Sequence, residues 1–216
     1  MFGMDSTKSQ DEPLQAPAVG ENVIVSPDTL RPQRISPGQT RTRKWPALNA
    51  GGLPKIDLNA RRLEGLIARA IAWNWDEFLT LPRVKVFSDF HCVTRWSRFG
   101  NLWEGVSTLA LVEKARGVVP AAKLVTIYGY NHGWTANLPL SDFLAADALV
   151  AVFHDGEPVS TAHGGPARPI VPRLYAWNSA KWIAGVEFRE TDKPGFWERN
   201  SYHMRGDRWK EERSGW

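Results

Sequence analysis

The apolar runs of this chain are short. Residues 84–89, 124–128, 149–153 and 182–189 are each of strand length and rich in valine, isoleucine and aromatic residues. A run of that length and composition, bounded by glycine, proline or polar residues, reads as a buried strand. The helical segments between them are equally brief. Asn74, followed by Asp76 and Glu77, predicts a capped helix that must end before Pro82, and Ser107 caps a second that holds Leu109, Val112 and Lys114 and stops at Gly117. Ser141 opens a third, His154-Asp155-Gly156 forms a turn, and Ile170-Val171 adds a short extended piece. Strands in runs with short helices, and no regular strand–helix–strand alternation, predict an α+β fold built on mixed sheets rather than a Rossmann fold. Residues 61–71 fit either period, because Leu63, Leu66, Ile67, Ala70 and Ile71 have helical spacing while Leu58, Ala60 and Arg62 alternate.

With 216 residues and 43% hydrophobic content the chain can fill one core, and no apolar stretch approaches the roughly 20 residues of a membrane helix. Five prolines (Pro13, Pro17, Pro27, Pro32 and Pro37) fall within residues 1–40, which therefore read as an extended arm ahead of a compact domain at 41–216. The first ten residues lack an apolar secretory core and a twin-arginine pair, so the expected location is the cytoplasm. The formal charge is +4, with Lys and Arg scattered among acids rather than massed as a nucleic-acid-binding face. Eleven tryptophans are too many to ignore: they suit stacking platforms or the walls of a pocket for a large polar ring system.

Two clusters carry chemistry. Cys92 is the sole cysteine, which excludes an internal disulfide and any multi-cysteine metal site. It follows directly on a predicted strand in His91-Cys92-Val93-Thr94-Arg95-Trp96-Ser97-Arg98, and cations such as Arg95 and Arg98 favour the thiolate form that a soft metal or an electrophile requires. Taken alone, one cysteine is more often a small buried hydrophobe. The second cluster is His163-Gly164-Gly165-Pro166-Ala167-Arg168 with Asn178-Ser179-Ala180-Lys181-Trp182. Paired glycines permit close backbone approach, and Arg168, Ser179 and Lys181 supply donors suited to a phosphate, without the spacing of a nucleotide loop. The plainer alternative is a glycine turn with surface cations. His132 and His154 fall in predicted turns and read as solvated, and His203 follows Tyr202 near the expected entrance.

These blocks, with Trp103-Glu104-Gly105-Val106 and Asn137-Leu138-Pro139-Leu140, resemble in order and spacing the signature blocks of the sulfite oxidase family of molybdopterin enzymes. The resemblance implies that family's mixed-sheet fold, a molybdenum ion, and a molybdopterin in its monophosphate form. It implies that Cys92 is the metal's protein ligand, that Arg95, Arg98 and Tyr202 belong to the catalytic set, and that Arg41, Arg43, Lys44, His91, His163, Arg168, Ser179, Ala180 and Lys181 bind the cofactor. It further implies oxygen-atom transfer to or from a small, sulfur-containing anion, an electron-transfer partner that the residues do not name, and a monomer without a nucleic-acid or membrane partner. The arginines after the cysteine depart from the family's spacing. Reduction of an S- or N-oxide, the same atom transfer run backwards, is the second reading; a tryptophan-rich nucleic-acid-binding module and a cofactor carrier without turnover, the latter kept by the altered arginines, rank below it.

Overall fold

The computed structural model describes residues 22–59, 61–130 and 133–215. Much of the proline-containing arm, and His132, therefore lie outside the described residues. In chain order the strands are β1 Val23–Val25, β2 Thr40–Thr42, β3 Arg61–Gly65, β4 Ile71–Trp73, β5 Arg83–Cys92, β6 Trp96–Ser107, β7 Leu124–Gly129, β8 Thr135–Pro139, β9 Leu149–His154, β10 Glu157–Pro158, β11 Arg168–Ile170 and β12 Ile183–Arg189. The helices are α1 Trp75–Leu79, α2 Thr108–Lys114, α3 Leu140–Phe143 and α4 Phe196–Arg199. None of the helices is long and apolar enough to cross a membrane.

Two mixed sheets carry the fold. In the seven-stranded sheet, β5 pairs antiparallel with β6 and β6 with β9, while β9 takes both β10 and β11 as antiparallel neighbours. Strand β1 lies parallel to β5, and β2 lies parallel to β6, so residues 23–25 and 40–42 are sheet members. The five-stranded sheet runs β4-β3-β12-β7-β8, with β3 and β12 parallel and the other pairs antiparallel. The mixed-sheet α+β expectation is thus met.

Local rules place the short elements. Asn74 accepts from the Glu77 amide at 2.9 Å while the Glu77 carboxylate accepts from the Asn74 amide at 3.0 Å, a reciprocal capping box that starts α1. Ser107 accepts from the Leu109 amide at 3.2 Å and starts α2. The ambiguous segment at 61–71 is not helix: residues 61–65 form β3, where Arg61 and Leu63 turn inward and Arg62 outward, and Ile71 opens β4. Helical spacing loses there because β12 offers a complete parallel hydrogen-bonding edge, whereas a short helix would leave its end groups open. The turn after β9 has Asp155 at φ 51° and Gly156 at φ 87°, the paired positive angles of a tight hairpin. His154, expected to be solvated, is instead 9% exposed. It is the last residue of β9, and its ring packs 4.2 Å from that of Trp45 and 4.3 Å from that of Trp103.

Two apolar clusters result. The larger collects Leu63, Val125, Ile127, Leu138, Phe143, Val186 and Phe188 among others, and the smaller holds Val86, Phe90, Trp103, Leu149, Ala151 and Ile170, with Trp45, Trp96 and Ala176 packed against it. β6 and β9 approach so closely that a Cβ on Gly105 would stand 2.0 Å from the Val150 carbonyl oxygen. Backbone cannot yield there as a flexible side chain would. Gly105→Ala is expected to lower stability by about 1–3 kcal/mol, the usual cost of forcing extra volume into a packed interior, read as a lower urea midpoint with an unchanged slope.

Candidate active site

Cys92 ends β5 and Trp96 begins β6, so the thiol stands where the central hairpin of the larger sheet turns. The intervening backbone is held from both ends of the chain. Gln39 Nε2 donates to the Cys92 carbonyl at 3.0 Å, the Thr40 amide to the Arg95 carbonyl at 2.8 Å, and Arg213 Nη1 to the Val93 carbonyl at 2.7 Å. Arg95, at φ 71°, closes the turn with its amide on the Cys92 carbonyl at 3.1 Å. The Thr94 hydroxyl donates to Cys92 Sγ at 3.1 Å.

The thiol faces a cavity of about 180 Å³. Opposite it lies the segment from β11 to β12. Arg168 is 3% exposed; Nη1 donates to the His163 carbonyl at 2.7 Å and Nη2 to the Ser179 carbonyl, while Nε is buried without a partner. Burial pushes this guanidinium down to about 9, with Cys92 pulling in the opposite direction. Lys181 sits beside it, its Nζ donating to the carbonyls of Leu48 at 2.9 Å and Ala162 at 2.8 Å and to Asn49 Oδ1. Burial first, then repulsion from Arg168, lowers the ammonium to about 7. Among the described residues, neither cation is paired with a carboxylate. Gly164 lets the two segments close, since a Cβ there would stand 2.9 Å from the Lys181 Cα.

His163 stacks on Trp45 with centroids 3.8 Å apart and planes at 23°. Its Nε2 lies 2.9 Å from the Trp45 carbonyl, which can only accept, so Nε2 carries the proton and Nδ1 accepts from the Ser160 hydroxyl at 2.9 Å. Burial lowers this histidine and keeps it neutral. Tyr202 forms part of the opposite rim. Its ring stacks on Trp197 at 4.8 Å and meets the edge of Trp177 at 5.1 Å, and Trp134 stands edge-on to Trp197 at 5.5 Å. Burial, and then the neighbouring Cys92, raise the Tyr202 phenol above its ordinary value.

Of the residues singled out in the sequence, the cavity gathers Cys92, Arg168, Ser179, Ala180, Lys181 and Tyr202. His163 stands directly behind the Trp45 wall. Others lie elsewhere. His91 alternates away from Cys92 along β5 and bonds Ser97 Oγ at 2.8 Å; burial, Arg208 and Arg34 hold it well below the usual imidazole range. Arg98 turns to His154 at 2.9 Å and Asp155 at 2.7 Å, Arg41 lies over the Phe99 ring, and Arg43, Lys44 and Arg95 are exposed outside the cavity lining. His203 lies outside the lining too, its Nδ1 accepting from the Arg205 amide at 3.0 Å. Trp45, Trp134, Trp177 and Trp197, which the motifs do not single out, line the cavity. In the sequence they show chiefly as part of the surplus of tryptophan.

No cluster of three or more His, Cys, Asp or Glu side chains stands ready to hold a metal among the described residues. A metal bound through Cys92 must therefore arrive with most of its ligands. The unpartnered Arg168 Nε, two cations without a counter-charge, and walls of indole suit an anionic, flat chelate that brings soft ligands of its own.

Comparison with known proteins agrees. Residues 50–197 match the family described as oxidoreductase molybdopterin binding domain. The chain is 43% identical over 186 residues to the uncharacterized oxidoreductase YuiH of Bacillus subtilis (strain 168), covering 85% of this chain and 93% of that protein. It is 29% identical over 108 residues to the mitochondrial sulfite oxidase of Drosophila melanogaster, covering 46% of this chain but only 19% of that one. The sulfane dehydrogenase SoxCD structure from Paracoccus pantotrophus superposes with a TM-score of 0.61 at 19% identity, over 73% of this chain and 46% of its own, a likeness of fold. A site built around one thiol and an unpaired cationic cradle, on this fold and with these relatives, makes the chain a member of the sulfite oxidase family of molybdopterin-binding oxidoreductases.

Proposed function

We propose that the protein is a molybdenum–molybdopterin oxidoreductase that transfers an oxygen atom to or from the lone pair of a small sulfur-containing substrate. The observation that carries this reading is the pairing of a lone thiol with two desolvated cations across one cavity. When bound, the cofactor would supply the two-electron change between Mo(VI) and Mo(IV). The rest is the work of this chain. Cys92 would hold the metal through its thiolate. Arg168 and Lys181, with the backbone around Ser179 and Ala180, would neutralise the anionic end of the pterin, which is why burial without carboxylates is tolerable there. His163, neutral and with both nitrogens engaged, fixes Trp45 as a wall that excludes water. Tyr202, raised by burial and by Cys92, keeps its proton at neutral pH and can donate a hydrogen bond to a substrate oxygen.

A second reading, reduction of an organic S- or N-oxide, draws on one observation. The lining next to Cys92 is Trp96, Trp134, Trp177, Trp197 and Tyr202, while Arg95 and Arg98, the cations suited to an oxyanion, lie outside it. Indole walls favour an uncharged or apolar substrate over a hydrated dianion. Assays in both directions, sulfite oxidation against reduction of an aryl methyl sulfoxide and of trimethylamine N-oxide, separate the two.

Cys92→Ser should abolish turnover, because an alkoxide is a harder donor than a thiolate; wild-type turnover at full molybdenum occupancy, measured by mass spectrometry, would contradict the role assigned to Cys92. Lys181→Ala should weaken pterin retention about 10- to 100-fold, the loss of a charge-assisted contact of about 1.5–3 kcal/mol, seen as less fluorescent oxidised pterin released per mole of protein. Retention should also be pH-dependent. The free ammonium loses its proton near 7, so affinity for an anionic cofactor is constant below that value and falls above it. Lys181→Arg, which stays charged, should flatten that fall in an equilibrium dialysis series from pH 6 to 9.

A further inference from the structure

Thr94 lies two residues beyond Cys92 in the turn between β5 and β6, and its hydroxyl donates to the Cys92 sulfur at 3.1 Å. Both residues line the cavity. The backbone on either side is fixed by Gln39, Thr40 and Arg213 through the carbonyls of Cys92, Arg95 and Val93, which holds Thr94, itself an exposed residue, beside the sulfur. A β-branched side chain adds its own restriction at χ1.

We infer that Thr94 is a positioning residue for the Cys92 sulfur, whose hydroxyl draws charge from the thiolate and so sets the reduction potential of the metal that Cys92 would hold. The inference rests on Cys92 being that metal's protein ligand. A hydrogen bond to a ligating sulfur makes it a weaker electron donor, which favours the reduced state of the metal, and bonds of this kind are among the levers by which proteins tune sulfur-ligated centres. Arg95 and Arg98, which the sequence offered for the task of tuning the thiol, do not line the cavity. Thr94 does so by direct contact.

Thr94→Val removes the donor at nearly constant volume, and Thr94→Ser restores a donor without the methyl group. In protein purified from cells that make the cofactor, Thr94→Val should move the Mo(VI)/Mo(IV) midpoint to more negative potential and the sulfur-to-molybdenum charge-transfer band to longer wavelength, at wild-type metal content. Thr94→Ser should return both to wild-type values. Thr94→Ala carries the same expectation as Val and serves if the valine variant fails to take up metal. A donor-less variant with full molybdenum and an unmoved potential and band overturns the inference, as does a Ser variant that shifts as far as Val. Wild-type protein lacking molybdenum overturns the assignment of Cys92 itself, a separate result from either.

Discussion

Arg168 brings a positive charge into the protein interior with no carboxylate among the described residues to meet it. A buried guanidinium is costly unless its donors are satisfied, and here backbone carbonyls of His163 and Ser179 do that work. Those two carbonyls belong to loops on either side of β11, so one side chain fixes the mutual position of residues 163 and 179. Lys181 extends the same cradle by reaching across to Leu48 and Asn49, tying in the segment that follows β2. Among the described residues no carboxylate pairs with this cradle, and burial lowers both Arg168 and Lys181.

Around this cradle the scaffold divides its labour. The seven-stranded sheet supplies Cys92 at a hairpin turn and Arg168 at the start of an edge strand, while the smaller apolar cluster under them keeps Phe90, Trp45 and Trp96 in register. The five-stranded sheet delivers Lys181 just ahead of β12 and anchors α4 through the Asn137 side chain, which accepts from the Gly195 amide at 3.1 Å and donates to Asp192 Oδ1 at 2.8 Å. Glu198 of α4 accepts from Trp177 Nε1 at 2.9 Å and, raised to about 7 by burial, braces the aromatic rim from behind. The site therefore lies where both sheets contribute.

Much of this was legible in the sequence. Strand-length apolar runs and cap residues at Asn74 and Ser107 reported the elements, because both depend on near neighbours only. The signature blocks located Cys92, Arg168 and Lys181. What stayed hidden depends on distant pairing. The strand at 61–65 was ambiguous because its decisive partner, β12, lies more than a hundred residues away. His154 looked like a turn residue, yet Trp45 packs over it from the far end of the chain. Arg98 looked like a companion of Cys92 because it is close in sequence, and opposite Phe90 it does share a face of the hairpin with Cys92, but it stands further from the turn and its guanidinium is held by His154 and Asp155 instead. The tryptophan walls were visible mainly as a surplus, since Trp134 meets Trp197, and Trp177 meets Tyr202, by tertiary contact.

The turn that presents the thiol is gripped by Gln39 from one end of the chain and by Arg213 from the other. During synthesis the strands that flank it are complete more than a hundred residues before Arg213 leaves the ribosome. The nascent hairpin can pair early, but its tip reaches final shape only once Arg213 is available to hold it. The corner that carries the thiol is thus completed late, and losing the Arg213 contact leaves a paired hairpin with an unlocked tip.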